Sequence, residues 1–503
     1  MFFEMLMNGH DKKLAFGMIC ALYIAAFAVT LIPMYRLALY SVPWYDDYSY
    51  GIPLHVLFTV NPDAGLLDIL KTVVESVRVE WWAWQGTFSS IFLMSFSPIV
   101  FGEEYYFLGA LFLISILAAT TIFFVYTVCT VVFGCRRVSG IIMGLGTATA
   151  LINTIHTSQA GFYWYNAGVH YVGMHSIFFL WTAFLIRSVR GEKKFVRYVG
   201  TVLGTLLSVA PAGANFVTAL QGLVVICAVV CYAVIREKYG SLRLLPAFLI
   251  YAFGFYMNVR APGNSVRARS YVGWGYSPIK AVLLSFKEGI LKLWTFTGLV
   301  GIVFIVFLAS GAVLAVWNTE FKYTRPWLFA AVSYVLYCTG FTPSLYSLGH
   351  AGLGRTLNAV KLTFWMLLVL NIIYISGYLF GRNGRMRNTA ERFGIKTGVV
   401  YAAILFATAA GAYGLSTNRA GTIAGFGAYY YVHSGEAFNF REQYLERVQV
   451  LKSEEKDVVF ETYRFRPWML CAGELSDDPE AEENRLVEEW YKKDSVRIRN
   501  GEG

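Results

Sequence analysis

Long apolar stretches separated by short polar segments dominate the chain; the two-residue alternation of exposed strands is nearly absent. Runs of mostly apolar residues, near the ~20 that cross a hydrocarbon core, fall at approximately 14–35, 105–133, 138–157, 171–187, 198–215, 217–235, 244–260, 293–317, 326–343, 361–380 and 397–415. The pattern predicts an all-α polytopic membrane protein with about eleven transmembrane helices. The first run is too long for a secretory leader and is weakly followed by a small-residue cleavage signal, so it is taken as a span. By eye the chain shows no internal repeat, which disfavours the repeat-built transporters.

Two regions lie outside this ladder: a large first loop, residues 36–104, and a tail from 416. They divide the chain into a transmembrane domain, 1–415, and a C-terminal domain, 416–503. In the loop, Leu66, Leu67, Leu70, Val73, Val74 and Val77 recur at helical spacing and predict an amphipathic helix on the membrane surface. Phe88–Val100 contains Pro98 and is short for a span, so a second helix in the interface is expected. The tail reads as a small α/β-like fold, with helices over 440–451 and 480–491 and strands over 457–463 and 495–499.

Composition agrees: 56% of residues are hydrophobic and 15% charged, with a mean hydropathy of +0.51, against roughly 25% charged in soluble domains. A soluble globule and a disordered chain are both excluded. Charge divides unevenly. The tail carries 17 acidic and 12 basic residues, the preceding 415 residues 15 acidic and 30 basic. Basic residues that gather in short cytoplasmic loops account for this excess without a nucleic-acid partner. Arg136/Arg137, Arg187 to Arg197, Arg236/Lys238/Arg243, Lys322/Arg325 and Arg382 to Lys396 fall on one side of the ladder, with Lys12 and Lys13. The N-terminus is therefore expected in the cytoplasm and the C-terminus outside. Cys227 and Cys231, four apart in an apolar run, read as small core residues, and the lone tail cysteine, Cys471, excludes a disulfide within the tail.

The spans have no Asp, Glu, Lys or Arg in their middles. Ionisable groups at that depth usually mark an ion route, so an ion-coupled transporter is disfavoured. Chemistry then has to come from the outer face, whose acids before the tail are few. Asp46 and Asp47 stand among aromatics in Pro43-Trp44-Tyr45-Asp46-Asp47-Tyr48-Ser49-Tyr50-Gly51. They either cap the following helix or supply a base and an orienting group. Arg260, Asn264 and Arg267 belong to a Pro-Gly turn after the seventh run, and His350 and Arg355 to a later outside loop. Guanidinium groups suit phosphate through paired hydrogen bonds. Trp84 and Gln85, and Tyr163, Trp164, Asn166 and His170, lie in aromatic stretches that suit a sugar face or a membrane belt. No residue set specifies a metal, and a divalent cation is left open.

Asp46-Asp47 soon after the first span, surface helices in the first loop, about eleven spans and an outside C-terminal domain together resemble the GT-C superfamily of membrane glycosyltransferases. Asp46-Asp47-Tyr48-Ser49-Tyr50-Gly51, Trp84-Gln85-Gly86, Tyr163-Trp164 with Gly168, and Ala261-Pro262-Gly263-Asn264 with Arg267 look more narrowly like a group of largely uncharacterised bacterial relatives. The resemblance implies a plasma-membrane enzyme of the bacterial envelope that takes a polyprenyl-phosphate sugar and transfers it to a glycan or lipid acceptor. Asp46 or Asp47 would be the base, Arg260, Asn264, Arg267 and Arg355 would hold the donor phosphate, and Trp84, Gln85, Tyr163, Trp164, Asn166, His170 and His350 would contact substrate. A lipid-linked glycan flippase or exporter, a polysaccharide polymerase, and a noncatalytic envelope-assembly protein are the competing functions.

Overall fold

The computed structural model describes residues 9–270, 273–392, 394–416 and 423–499. The side chains of Lys12, Lys13, Lys238 and Lys396, expected to mark the cytoplasmic side, and residues 417–422 at the expected domain boundary lie outside the described set. The first helix, α1 (Gly9–Ala38), is followed by loop helices α2 (Asp46–Ser49), α3 (Ile52–Val60), α4 (Leu66–Ala83) and α5 (Phe88–Met94). The bundle continues through α6 (Phe107–Thr127), α7 (Arg137–Asn153), α8 (Met174–Arg190), α9 (Lys194–Leu207), α10 (Phe216–Glu237), α11 (Leu245–Arg260) and the short α12 (Pro262–Arg269). It is completed by α13 (Pro278–Val316), α14 (Pro326–Thr339), α15 (Gly354–Phe380) and α16 (Ile395–Ser416).

Among the described residues, nine helices are long and apolar enough to cross a membrane. They coincide with nine of the eleven apolar runs. The run at 138–157 is α7, a helix of 17 residues, and the one at 397–415 is α16, a helix of 22 residues. Small residues seat α7 among its neighbours. A Cβ on Gly144 would meet the Ile122 backbone at 2.9 Å and one on Gly146 the Tyr23 ring at 2.3 Å. These glycines let α7 sit deep against α1, α6 and α13.

Two helices run further toward the end that carries the first loop than the apolar runs indicated: α13 starts at Pro278, not 293, and is broken by a kink at Gly298 (φ 54°, ψ −169°), and α15 starts at Gly354, not 361. The expected interfacial helix over 88–100 is instead α5 plus a separate 3₁₀ turn, Pro98–Phe101, with Ile91, Met94, Ile99 and Val100 buried. Cys227 and Cys231 face outward from α10 rather than into the core. Outside a membrane bundle lies lipid, so an apolar position need not be an interior one.

The expected basic loops gather at one end. There Arg190 donates to Tyr232 Oη (3.1 Å), Arg243 to the Ser188 carbonyl (3.0 Å) and Arg387 to the Trp317 carbonyl, and Arg382 pairs with Glu320. The first loop and the tail meet at the opposite end. The tail consists of α17 (Ala424–His433), α18 (Glu436–Lys452), β1 (Asp457–Phe460), α19 (Glu482–Tyr491) and β2 (Ser495–Ile498). Its strands pair in parallel, Asp457 opposite Ser495 and Phe460 opposite Ile498, with α19 preceding β2 in the crossover. This matches the expected helix–strand–helix–strand order, and α17 is an addition that packs on α1.

Candidate functional site

The two adjacent aspartates have different environments. Asp47 is wholly buried. Its carboxylate accepts hydrogen bonds from the Tyr106 hydroxyl (2.6 Å), the Trp44 and Asn166 backbone N–H groups (2.9 and 3.0 Å) and, more weakly, the Ser97 hydroxyl (3.5 Å). Burial outweighs these bonds and pushes its carboxyl pKa up to about 7. No acceptor capacity is left for a substrate. Asp47 is a brace that ties the loop to α6 and to the 165–168 turn, which corrects its placement as an equal candidate base.

Asp46 keeps its side chain 21% exposed, and its Oδ2 lies 3.3 Å from Arg355 Nη1. Burial raises its carboxyl pKa, opposed by the charges of Arg355 and Arg267, while Glu482 of the tail pushes the same way as burial. Glu80, at the end of α4, is also raised by burial and by Asp46. Asn166 steadies the pair of aspartates: its N–H serves Asp47, and its Nδ2 donates to the Asp46 carbonyl at 2.6 Å. The residue before Asp46, Tyr45, has φ 42° and ψ −98°, an uncommon conformation for a side-chain-bearing residue. Its hydroxyl interacts with Glu482.

Two arginines flank Asp46, each stacked on a tryptophan. The Arg355 guanidinium lies 5.3 Å from the Trp164 ring centroid, and Trp164 Nε1–H donates to the Trp44 carbonyl at 3.1 Å. The Arg267 guanidinium lies 5.4 Å from Trp84, with Nη1 donating to Gln85 Oε1 at 2.6 Å. Gln85 in turn donates to the Tyr50 hydroxyl at 2.9 Å. Both arginine charges reach His170. Asn166 Oδ1 and His170 Nδ1 are buried with no hydrogen-bond partner among the described residues. Such orphans call for an explanation.

Trp84-Gln85-Gly86 and Pro262-Gly263-Asn264, far apart in sequence, form one clip. Gly86 N–H donates to Asn264 Oδ1 (2.9 Å), and Asn264 Nδ2 donates to the carbonyls of Asn258 (2.7 Å) and Val259 (3.1 Å). A Cβ on Gly86 would stand 1.9 Å from the Asn258 oxygen, and one on Gly263 2.5 Å from Trp84 N. The clip sets Arg267 beside Gln85.

Asp46, Arg267, Arg355, Trp84, Gln85, Trp164, Asn166 and His170 are therefore brought together. Four expected contributors are not. Asn264 spends its amide on the clip, and Tyr163 is buried with its hydroxyl on the Met34 carbonyl (3.3 Å). Arg260 is exposed at the end of α11, and His350 is exposed with Nδ1 accepting the Gly352 N–H (3.1 Å). Tyr45 and Glu482 were missed, since no local pattern links residue 45 to residue 482. Among the described residues no three His, Cys, Asp or Glu side chains assemble as a metal site. The helices are compatible with a multi-pass membrane protein. No protein-family model, curated protein or solved structure matches the chain.

Proposed function

We propose that the chain is a membrane glycosyltransferase of the GT-C kind, which moves a sugar from a polyprenyl-phosphate donor to a glycan or lipid acceptor at the outer face of a bacterial plasma membrane. The observation that carries this is a partly exposed carboxylate, Asp46, flanked by two tryptophan-backed guanidinium groups. A carboxylate raised by burial is suited to accept a proton from an acceptor hydroxyl. As that proton moves to Asp46, the hydroxyl oxygen bonds to the anomeric carbon and the bond from that carbon to the phosphate oxygen breaks. Arg355 and Arg267 stabilise the charge left on the phosphate. Arg355 uses one of its five donors on Asp46 in the resting site, which leaves others for phosphate. Asn166 Oδ1 and His170 Nδ1 accept hydroxyls of the sugar.

Transfer of radiolabelled sugar from a mixed pool of polyprenyl-phosphate sugars, in membranes bearing intact or substituted protein, tests the assignment. Asp46→Asn should remain folded in the membrane and lose transfer by at least about 100-fold, as expected for a lost general base. Full transfer by Asp46→Asn would remove the base. Transfer that survives Asp46→Asn but fails in Arg355→Ala and Arg267→Ala would favour a polysaccharide polymerase, which needs the arginines and depends less on the acid.

A further inference from the structure

A second cationic cluster lies at the same end of the bundle and has no place in the transfer chemistry. Lys361 sits two turns inside α15 and is partly buried. Its Nζ stands 5.7 Å from the ring centroid of the buried Phe296 on α13. The His156 ring also packs on Phe296, with centroids 6.0 Å apart. Lys292 lies one turn before Phe296 on the same face of α13, and both lysine charges reach His156. Among the described residues, neither lysine nor His156 makes an ion pair or hydrogen bond. Glu288, one turn before Lys292, pairs with neither of them.

Two lysines with no carboxylate beside them repel one another, and an ammonium held partly out of water is seldom left unpaired. The depth suggests what compensates them. By helix rise, Lys361 is about 28 Å from the basic end of α15, close to the ~30 Å thickness of the hydrocarbon core. Both lysines thus reach headgroup level at the end that carries Asp46. The abundant anion there is the phosphate of a lipid, and ammonium groups bind phosphate as compact point charges. Leu293 and Trp294, exposed on the same stretch of α13, give an acyl chain an apolar surface.

We propose that Lys292, Lys361 and His156 form a binding site for the phosphate group of a membrane lipid, separate from the Arg267–Arg355 pair. The site goes beyond the transferase function and holds whether or not transfer occurs, because its readout is bound lipid.

The test uses the purified full chain in detergent, with native mass spectrometry and thermal unfolding after addition of phosphatidylglycerol, diacylglycerol or inorganic phosphate. Phosphatidylglycerol should bind and raise the melting temperature. Diacylglycerol, which lacks the phosphate, and inorganic phosphate, which lacks the chains, should not. Lys292→Gln with Lys361→Gln should weaken the phosphatidylglycerol complex by at least about 10-fold, from the loss of charge-assisted hydrogen bonds. Lys292→Arg with Lys361→Arg should restore it, and Arg267→Gln should leave it unchanged. Among the described residues neither lysine makes an ion pair or hydrogen bond, so the glutamines remove only the contact of Lys361 with the Phe296 ring. If the double variant still fails to fold, Lys361→Gln alone against Lys361→Arg gives the same comparison. Undiminished lipid binding without the lysines overturns the site. Equal loss in Arg267→Gln overturns its separateness, and stabilisation by inorganic phosphate alone overturns a lipid as the source.

Discussion

Asp46 and Asp47 are chain neighbours with opposite roles because the backbone turns between them. Tyr45, held at φ 42°, starts a single helical turn that sends Asp47 inward and leaves Asp46 at the surface of the cluster. A conformation of that kind stores roughly 1–3 kcal/mol and persists where its surroundings enforce it. Here the Trp44 N–H to Asp47 bond and the Tyr45 contact with Glu482 do so. Asp47 gives the site a pH signature. Its pKa is near 7 in the fold and about 3.9 in an unfolded chain. The folded form therefore holds a proton that unfolding releases between those values. Its contribution is fully present below pH ~4 and is lost as pH rises through 7, at about 1.4 kcal/mol per pH unit within that window. Thermal unfolding in detergent should show stability falling from pH 5 to pH 7, and Asp47→Asn should flatten that slope. An unchanged slope in the variant would assign the titration to another group. Asp47→Asn should also lower stability at every pH, by about 1–3 kcal/mol. An amide placed either way sets its NH₂ against a backbone N–H, that of Trp44 or that of Asn166.

At the scale of elements, the clip between the end of α4 and the α11–α12 turn positions half of the site. It depends on glycine where two backbones touch. Gly86→Ala would drive a methyl group into the Asn258 carbonyl, so α4 would have to withdraw and carry Gln85 away from Arg267. The expected cost is about 1–3 kcal/mol of stability, the usual scale for overpacking, with a larger fall in transfer. Gly65→Ala, where the new Cβ meets nothing nearer than Asp68 Oδ2 at 4.0 Å, is the matched control. Equal melting temperatures for the two variants would mean that the clip is slack. The sequence reveals that Trp84-Gln85-Gly86 and Pro262-Gly263-Asn264 are unusual, but not that they touch, since pairing across 178 positions leaves no periodic trace. Helices proved easier to read than their ends. Apolar runs located the long helices, while the outer turns of α13 and α15, rich in Lys280, Lys287, Glu288, Lys292 and Arg355, looked like loop. A helix that leaves the hydrocarbon keeps its backbone bonds but drops its apolar signature. For the same reason Lys361 was read as the edge of a span, although it lies well inside the helix.

In the whole molecule, the tail acts as a plate fixed over the first loop, and three of its fixings converge on residue 103. Arg441 donates to the Ser41 and Glu103 carbonyls, both at 2.9 Å. The Glu103 carboxylate takes Lys452 Nζ at 2.8 Å and the Tyr491 hydroxyl at 3.0 Å. Trp490 stacks on His55 with centroids 4.0 Å apart and meets Tyr48 edge-on at 5.3 Å, and the Gln159 amide reaches the Cys471 carbonyl. Gly473 lies so close to Trp44 that a Cβ would stand 2.5 Å from its ring. Together these contacts cover the segment on both sides of Asp46 and bring Glu482 to Tyr45. The tail stood out by its charge reversal, but its position did not, because charge balance reports on composition and carries no contact information. If the plate holds Asp46 in place, then loosening it should impair chemistry without unfolding the bundle. Arg441→Ala removes two charge-assisted bonds to backbone, each worth roughly 1.5–3 kcal/mol, and touches no residue of the Asp46 cluster. The tail should become protease-sensitive in native membranes while the melting of the bundle holds, and transfer should fall together with tail protection. A tail that is cut freely while transfer stays at the level of the intact protein would show that the loop is held from the membrane side alone, by Tyr106 and Asn166.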